Sequence, residues 1–121
     1  MLFKFPKNDK NLSWTQHVKN KMLHYRLSEQ KIKAVLKTSS RKEEGIAPNT
    51  TAVMKRNDTP KRKEEIWVMF QKKKPDVPGR AGNGQLSKVT VISAWRYPGV
   101  SPKGKEIPIP NDILEELLGI V

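Results

Sequence analysis

Two segments in the second half of the chain alternate apolar side chains between opposite faces, which is the pattern of a β-strand. Residues 64–71 are apolar on both faces, with Ile66, Val68 and Phe70 on one and Trp67 and Met69 on the other. Residues 87–96 are rich in β-branched side chains, and Val89, Val91, Ser93 and Trp95 alternate along them. The two segments predict a β-hairpin.

The linker between these strands is rich in residues that break regular structure. It contains Pro75, Pro78, Gly79, Gly82 and the pair Asn83-Gly84, and it begins with three consecutive lysines. These residues predict a long, mobile, basic hairpin loop. Weaker strand patterns lie at residues 50–56 and, over a shorter stretch, at residues 41–46. The sequence therefore predicts a sheet of three or four antiparallel strands.

Helical periodicity precedes the strands. Ser13 starts a capping box, and a helix is predicted over residues 14–25. Its apolar stripe consists of Trp14, Val18, Met22 and Tyr25. A second helix begins after Ser28, whose hydroxyl suits an N-cap, and runs to about Thr38. Residues 1–12 are mostly polar, so we expect a flexible N-terminal segment.

The chain ends in a short helix pattern that Asn111 can cap, with Ile113, Leu114, Leu117 and Leu118 facing inward. This helix is acidic, so we expect it to pack on the side of the molecule away from a polyanion. Helices that flank a block of strands predict an α+β fold. The predicted domain spans residues 13–121 and contains two N-terminal helices, a three- to four-stranded antiparallel sheet and a short C-terminal helix.

Positive charge is the strongest feature of the composition. The chain carries 24 lysines and arginines and 12 aspartates and glutamates, which gives a formal net charge of +12 at pH 7. Every lysine and arginine lies at or before Lys105, whereas the charges of residues 106–121 are all acidic. Such a surface attracts phosphate backbones, which predicts a polyanionic partner, foremost RNA. One alternative is a basic surface that is only solvated. Another is binding to an anionic membrane surface, but no segment shows the amphipathic face that such binding needs.

Residues that the chain lacks narrow the classes of function. It has no cysteine, and therefore neither a disulfide nor a thiolate metal site. No apolar stretch approaches the roughly 18 residues of a membrane span, and we expect a cytoplasmic protein that does not enter a membrane. His17 and His24 are roughly 10 Å apart along the first helix, too far to chelate one metal ion in the i, i+4 manner. We therefore expect neither a metal nor a cofactor.

No motif of a known enzyme class is present, so any chemistry rests on individual basic and hydroxyl side chains. RNA cleavage without a metal needs a base for the 2′-hydroxyl, a cation for the phosphate in the transition state and an acid for the leaving oxygen. The candidates are His17 and Lys21 on the first helix, and Arg96 and Tyr97 at the end of the strongest strand. The competing interpretation makes His17 a helix residue that flanks the core and Arg96 a solvated strand end.

Two basic segments are candidates for contacts with phosphate. Lys61, Arg62 and Lys63 form a turn before the first strong strand, and Lys72, Lys73, Lys74 and Arg80 belong to the predicted hairpin loop. The alternative is that both are solvated turns. The three tryptophans are expected in the core rather than as platforms for stacked bases.

The N-terminal pattern resembles a known family. His17-x-x-x-Lys21-Met22, then Leu27-Ser28 and an apolar helix, is similar to the opening His-x-x-x-Arg-Met and Ile-Ser of a widespread family of small bacterial and phage proteins of unknown function. That family is assigned to the toxin-like fold shared by barnase, colicin nucleases and RelE-type toxins. The resemblance covers residues 14–37 and continues loosely to Arg96. Lys21 departs from the family's arginine, which would weaken a bidentate phosphate contact.

Three hypotheses about function follow. The first, which the resemblance favours, is a RelE-like or barnase-like toxin that cleaves RNA without a metal, on free or ribosome-bound mRNA, and that an acidic antitoxin protein inhibits. The second is a non-catalytic nucleic-acid-binding module on the same scaffold. The third is an interaction protein whose basic face meets an acidic protein partner.

Overall fold

The computed structural model describes residues 5–46, 49–73, 88–103 and 106–117. Its helices and strands follow in the order β1 (Leu12–Trp14), α1 (Gln16–Tyr25), α2 (Glu29–Lys37), β2 (Arg41–Glu44), β3 (Thr51–Arg56), β4 (Glu64–Lys73), β5 (Lys88–Pro98) and α3 (Asn111–Leu117). The fold is α+β, with two N-terminal helices, a sheet and a C-terminal helix, as predicted. Most of the predicted hairpin loop, residues 74–87, lies outside the described residues.

The sheet is mixed and has five strands in the order β1-β5-β4-β3-β2. The prediction of three or four antiparallel strands is wrong because of β1, which precedes the helices and pairs parallel with β5. Its Leu12 lies opposite Val89, and the backbone N–H of Trp14 donates to Asn8 Oδ1 at 2.8 Å. The strand thus begins within the segment that we expected to be flexible. It is too short for its sequence to show a strand period.

Both N-terminal helices start at hydroxyl N-caps, but only one start was predicted correctly. Ser13 does not begin α1, because it is paired with Thr90 in the sheet, and the N-cap is Thr15, whose side chain accepts from the N–H of Val18. Ser28 caps α2 as predicted and accepts from Lys31. Arg26 closes α1 in the left-handed conformation with a φ of 56°, so the two helices meet at a tight corner.

The sheet is covered on both faces. The side chains of Ile66, Val68 and Phe70 pack with α1 and α2, and those of Trp67 and Met69 pack with α3 and Ile107 on the other face. The predicted alternation of β4 is therefore confirmed. All three tryptophans are buried, also as predicted. The two strongly apolar faces explain why helices are needed on both sides of the sheet.

A β-bulge at Ile92 changes the predicted faces of β5. Met69 lies opposite Ser93 and Phe70 lies opposite Val91, so Ile92 has no partner in the ladder. The prediction that Val91 and Ser93 alternate onto one face is therefore wrong: Val91 packs under α1 and α2, whereas Ser93 and Trp95 turn toward α3. The Thr15 hydroxyl donates to the Ile92 carbonyl at 2.9 Å and ties the start of α1 to the bulge.

The C-terminal helix starts without the predicted Asn111 cap. Asn111 is the first helical residue, and the carbonyl of Pro110 accepts from the backbone N–H groups of Ile113 and Leu114. Ile113 is fully buried in the core between the sheet and α3, as predicted. Leu118 lies outside the described residues. No helix in the described ranges is long and apolar enough to cross a membrane.

Candidate functional site

The structure brings two of the predicted catalytic side chains together. His17 and Lys21 are one turn apart on α1 and share a face, which lies against α3 rather than in open solvent. Only 17% of the His17 side chain and 10% of the Lys21 side chain are exposed. The pair therefore belongs to an interface between helices.

His17 is held by a hydrogen bond on each ring nitrogen. Its Nε2 lies 2.8 Å from Ser93 Oγ, and its Nδ1 lies 2.6 Å from Glu116 Oε2. A carboxylate can only accept, so Nδ1 carries a proton and donates. Burial lowers the pKa of His17, an effect that Glu116 opposes and the Lys21 charge reinforces. The ring is therefore neutral near pH 7, and its Nε2 accepts from the serine hydroxyl.

Lys21 binds two carboxylates of α3. Its Nζ lies 2.7 Å from Asp112 Oδ2 and 3.2 Å from Glu116 Oε1. Although burial disfavours the ammonium, these carboxylates raise the pKa of Lys21, and the ammonium in turn lowers the pKa of Asp112 against the effect of burial. The hydroxyl of Tyr25 donates to Asp112 Oδ1 at 3.2 Å. Burial, with the Asp112 charge, raises the pKa of Tyr25 to about 12.

This His17 cluster (His17, Lys21, Tyr25, Ser93, Asp112 and Glu116) contains a serine, a histidine and a carboxylate in the order of a hydrolase triad. Ser93 is fully buried, however, so no substrate atom can approach its hydroxyl while α3 is in place. The arrangement therefore holds α3 on α1 instead of activating a nucleophile. The expectation that α3 lies away from the predicted site is wrong, because its acids contact His17 and Lys21 directly.

The side chains of Arg96 and Tyr97 make no hydrogen bond or ion pair with His17 or Lys21 within the described residues. Successive residues of a strand point to opposite faces, and Tyr97 packs with the α3-side core. The Arg96 guanidinium instead binds the carbonyls of Tyr25 and Arg26 at 2.6 and 2.9 Å, and Glu64 at 2.7 Å. It therefore caps the end of α1. Tyr97 also lies four residues beyond Ser93, about 13 Å along the strand.

The predicted phosphate-contacting residues lie at opposite ends of β4. Lys61, Arg62 and Lys63 are exposed in the turn that precedes it, whereas Lys72 is exposed near its other end and Lys73 is its last residue. A strand of this length places the two groups about 30 Å apart. Lys74 and Arg80 lie outside the described residues.

A second buried charge cluster was missed at the level of sequence. Glu65 is fully buried on the α3 face, where it accepts from Trp67 Nε1 at 2.9 Å and from the Ser101 backbone N–H and hydroxyl at 2.9 and 2.7 Å. Arg56 Nη1 adds an ion pair at 3.0 Å. Burial alone would raise the pKa of Glu65, but these hydrogen bonds and the Arg56 charge lower it. The signal was available, because Glu65 shares its face with Trp67 and Met69.

Arg41 completes this cluster from β2. Its Nη1 donates to Ser101 Oγ at 2.7 Å, its Nη2 donates to the Pro102 carbonyl at 3.0 Å, and its Nε pairs with Glu43 at 2.7 Å. The guanidinium lies 5.2 Å from the centre of the Trp67 ring, a cation–π contact. Residues 99–102, which follow β5, are thus fixed by charged groups from three strands.

A pocket of about 380 Å³ adjoins this segment. It lies between the ends of β2 and β3 and the residues that follow β5. Its charged lining consists of the bases Arg41, Arg56, Lys63 and Lys103 and the acids Asp58 and Glu65. In the described part of the chain, no group of three histidine, aspartate or glutamate side chains has the arrangement of a metal site. The chain matches no family model, no curated protein and no solved structure.

Proposed function

We propose that the protein binds RNA through exposed lysine and arginine side chains. The observation that carries the proposal is how the charges are distributed between internal contacts and the surface. Most described acids are used internally, in ion pairs made by Glu29, Glu43, Asp58, Glu64, Glu65, Asp112 and Glu116. Only a minority of the described lysines and arginines take part in these ion pairs.

A larger set of basic side chains has no hydrogen-bond or ion-pair partner among the described residues. They are Lys7, Lys10, Lys19, Arg26, Lys37, Lys42, Lys61, Arg62, Lys63, Lys72, Lys88 and Lys103. Unpaired ammonium and guanidinium groups on a surface favour phosphate contacts, because binding releases counterions from the nucleic acid. The charge that remains for a partner is therefore strongly positive.

The shape of the molecule supports an extended ligand. The basic turn at residues 61–63 and the basic end of β4 are about 30 Å apart, a distance that a strand of several nucleotides spans. Since every tryptophan is buried, phosphate contacts rather than stacking on indole rings would supply the affinity. We favour RNA over DNA as the partner because the N-terminal sequence resembles a family that is assigned to the toxin-like fold.

The test is binding of a single-stranded RNA at several salt concentrations, with DNA of the same sequence as a comparison. We expect the logarithm of the association constant to fall linearly with the logarithm of salt, by about 0.7 per phosphate contact. Replacing Lys61, Arg62 and Lys63 with glutamine should reduce that slope by about two. A salt-independent affinity would contradict the proposal.

A charge-matched control shows whether the turn itself is the contact. The triple variant Lys7→Gln, Lys37→Gln, Lys42→Gln removes the same charge from exposed positions elsewhere. We expect it to reduce the slope less than the variant of the turn does. Equal losses would mean that total charge, and not residues 61–63, determines binding.

Metal-independent cleavage of RNA is the second candidate, and the state of His17 favours it. A neutral imidazole can accept the proton of a 2′-hydroxyl, and an ammonium one turn along the same helix can stabilise the charge on the phosphate. Both groups are occupied by α3, so cleavage would need α3 to move away from α1. An acidic antitoxin could in turn occupy the same two groups as the α3 carboxylates do.

The experiment is incubation of end-labelled RNA with the protein in EDTA, with and without ribosomes. Discrete products that disappear in His17→Ala would support the nuclease, and a mobility shift with intact RNA would leave binding alone. A cleavage rate that His17→Ala leaves unchanged would exclude His17 as the acid or base.

A further inference from the structure

The pocket beside Ser101 is walled by a segment that is already fixed in place. The Gly99 N–H donates to the Lys63 carbonyl at 2.8 Å, and its carbonyl accepts from Arg56 at 3.2 Å. Ser101 is held by Glu65 and Arg41. These contacts fix the rim before any ligand arrives, so a ligand would not have to order it.

Two kinds of basic side chain line the pocket, together with the carboxylates of Asp58 and Glu65, both of which pair with Arg56. The charges of Arg41 and Arg56 are matched by Glu43, by Glu65 and by Asp58, and their donors are directed at protein atoms. Lys63 and Lys103, in contrast, line the pocket without a hydrogen-bond or ion-pair partner in the described ranges. The positive charge available to a ligand therefore comes from these two lysines, and an ammonium group readily binds phosphate.

The pocket also offers an apolar surface. Met54 forms part of its wall, and Val100 lies at its rim with 62% of the residue exposed. Its volume of about 380 Å³ falls in the range of small-molecule sites, roughly 300–1,000 Å³. An anion-binding side next to an apolar side matches a phosphorylated nucleoside better than a bare anion.

We infer that this pocket holds one nucleotide unit of bound RNA, with its phosphate between Lys63 and Lys103 and its sugar or base against Val100. The inference rests on the proposed RNA binding and deepens it, because it gives one unit of the strand a defined position. Phosphates elsewhere on the strand would contact the other exposed lysines.

The probe is adenosine 5′-monophosphate, followed by shifts of backbone amide signals in the full chain. We expect saturable shifts at Lys63, Gly99, Val100, Ser101 and Lys103. Adenosine and inorganic phosphate, tested separately, should bind about tenfold or more weakly, because each makes only one of the two contacts. Equal affinity for phosphate and for the nucleotide, or shifts confined to other residues, would overturn the inference.

Two variants test the contacts. Lys63→Ala with Lys103→Ala should raise the dissociation constant of the nucleotide about tenfold or more. Lys33→Ala, an exposed lysine that does not line the pocket, should leave it nearly unchanged. Val100→Ser should reduce the advantage of the nucleotide over inorganic phosphate. An unchanged dissociation constant in the double lysine variant would overturn the inference.

Competition separates this inference from the broader proposal. If RNA binds with the expected salt dependence but adenosine 5′-monophosphate neither competes nor binds, the pocket assignment fails and RNA binding stands. If the nucleotide binds in the pocket and RNA does not bind at all, the proposed function fails, and with it the claim that the nucleotide is part of RNA.

Discussion

The Nζ atom of Lys21 lies 2.7 Å from Oδ2 of Asp112, and this ion pair joins α1 to α3. Glu116, one turn further along α3, contacts both Lys21 and His17. Two residues at i, i+4 on one helix thus meet two residues at i, i+4 on the other. Since the carboxylates occupy the basic groups from within the chain, α3 competes with any polyanion for this face.

Neutralising these two carboxylates should strengthen RNA binding. In Asp112→Asn with Glu116→Gln, the ion pairs that hold α3 on α1 are lost, so α3 can move away and expose Lys21. We expect the salt slope of binding to rise by about 0.7 as one further phosphate contact forms. The loss of the ion pairs should lower the free energy of unfolding by about 1–3 kcal/mol. Binding isotherms and thermal unfolding measure the two effects.

Glu115→Gln, which removes one negative charge where the double variant removes two, is the control, because Glu115 is exposed on the same helix and has no ion-pair partner among the described residues. It should leave the salt slope unchanged. If Glu115→Gln raises the slope half as much as the double variant does, in proportion to the charge removed, the effect comes from net charge and not from the release of Lys21.

Tyr25 should ionise at unusually high pH. Its pKa is raised to about 12 by burial and by the charge of Asp112. The folded state therefore keeps this proton between pH 10 and about 12, where an unfolded chain loses it, and stability should fall as the pH rises through that interval. Ultraviolet absorbance of tyrosinate in a Tyr97→Phe background isolates Tyr25. Asp112→Asn should lower the pKa only partly, because burial remains.

His17 should make stability depend on pH in mildly acidic solution. Burial lowers its pKa below 6.5, with Lys21 in support and with Glu116 and Asp112 opposed. The unfolded chain then binds more protons than the folded one just below pH 6.5. The contribution is thus fully present above pH 6.5 and is lost as the pH falls toward the folded-state pKa. Denaturant titrations of His17→Gln should lack this decline, whereas His24→Gln should retain it.

Local patterns were sufficient for much of the fold. The two faces of β4 and the Ser28 cap follow from neighbouring residues alone, and both agree with the structure. The parallel strand β1 and the bulge at Ile92 depend on pairing with residues far away in the chain. A strand of three residues has no recognisable period, and a bulge reverses the alternation beyond it, so periodicity could detect neither.

The candidate site, like the fold, was predictable only where it depends on residues close together in the sequence. The spacing of His17 and Lys21 on one helix face was visible in the sequence, and the structure places them together. What could not be foreseen is that α3 would meet that face, because helix docking depends on the course of the chain after β5. The matching i, i+4 spacing of Asp112 and Glu116 was the one local signal of this contact.

Two stacked tryptophans should differ in their contribution to stability. Trp67 and Trp95 are both fully buried, with ring centres 6.1 Å apart and planes within 7°. Trp67 Nε1 donates to Glu65, whereas Trp95 Nε1 has no acceptor among the described residues. Trp67→Phe should therefore cost about 2 kcal/mol more than Trp95→Phe, because it deprives a buried carboxylate of a donor. Equal losses in chemical denaturation would contradict this account of Glu65.

Variants of Arg96 distinguish a role of this residue in stability from a role in binding or cleavage. Its guanidinium links two carbonyls at the end of α1 to Glu64, and a lysine cannot make three contacts in that fixed geometry. We therefore expect Arg96→Ala to lower the free energy of unfolding by about 2–3 kcal/mol, and Arg96→Lys to recover only part of the loss. Below the unfolding transition, RNA affinity should change less than in the variant of Lys61, Arg62 and Lys63. If Arg96→Ala instead abolishes binding or cleavage while the unfolding free energy is unchanged, the predicted contact of Arg96 with phosphate is correct and its role as the cap of α1 is secondary.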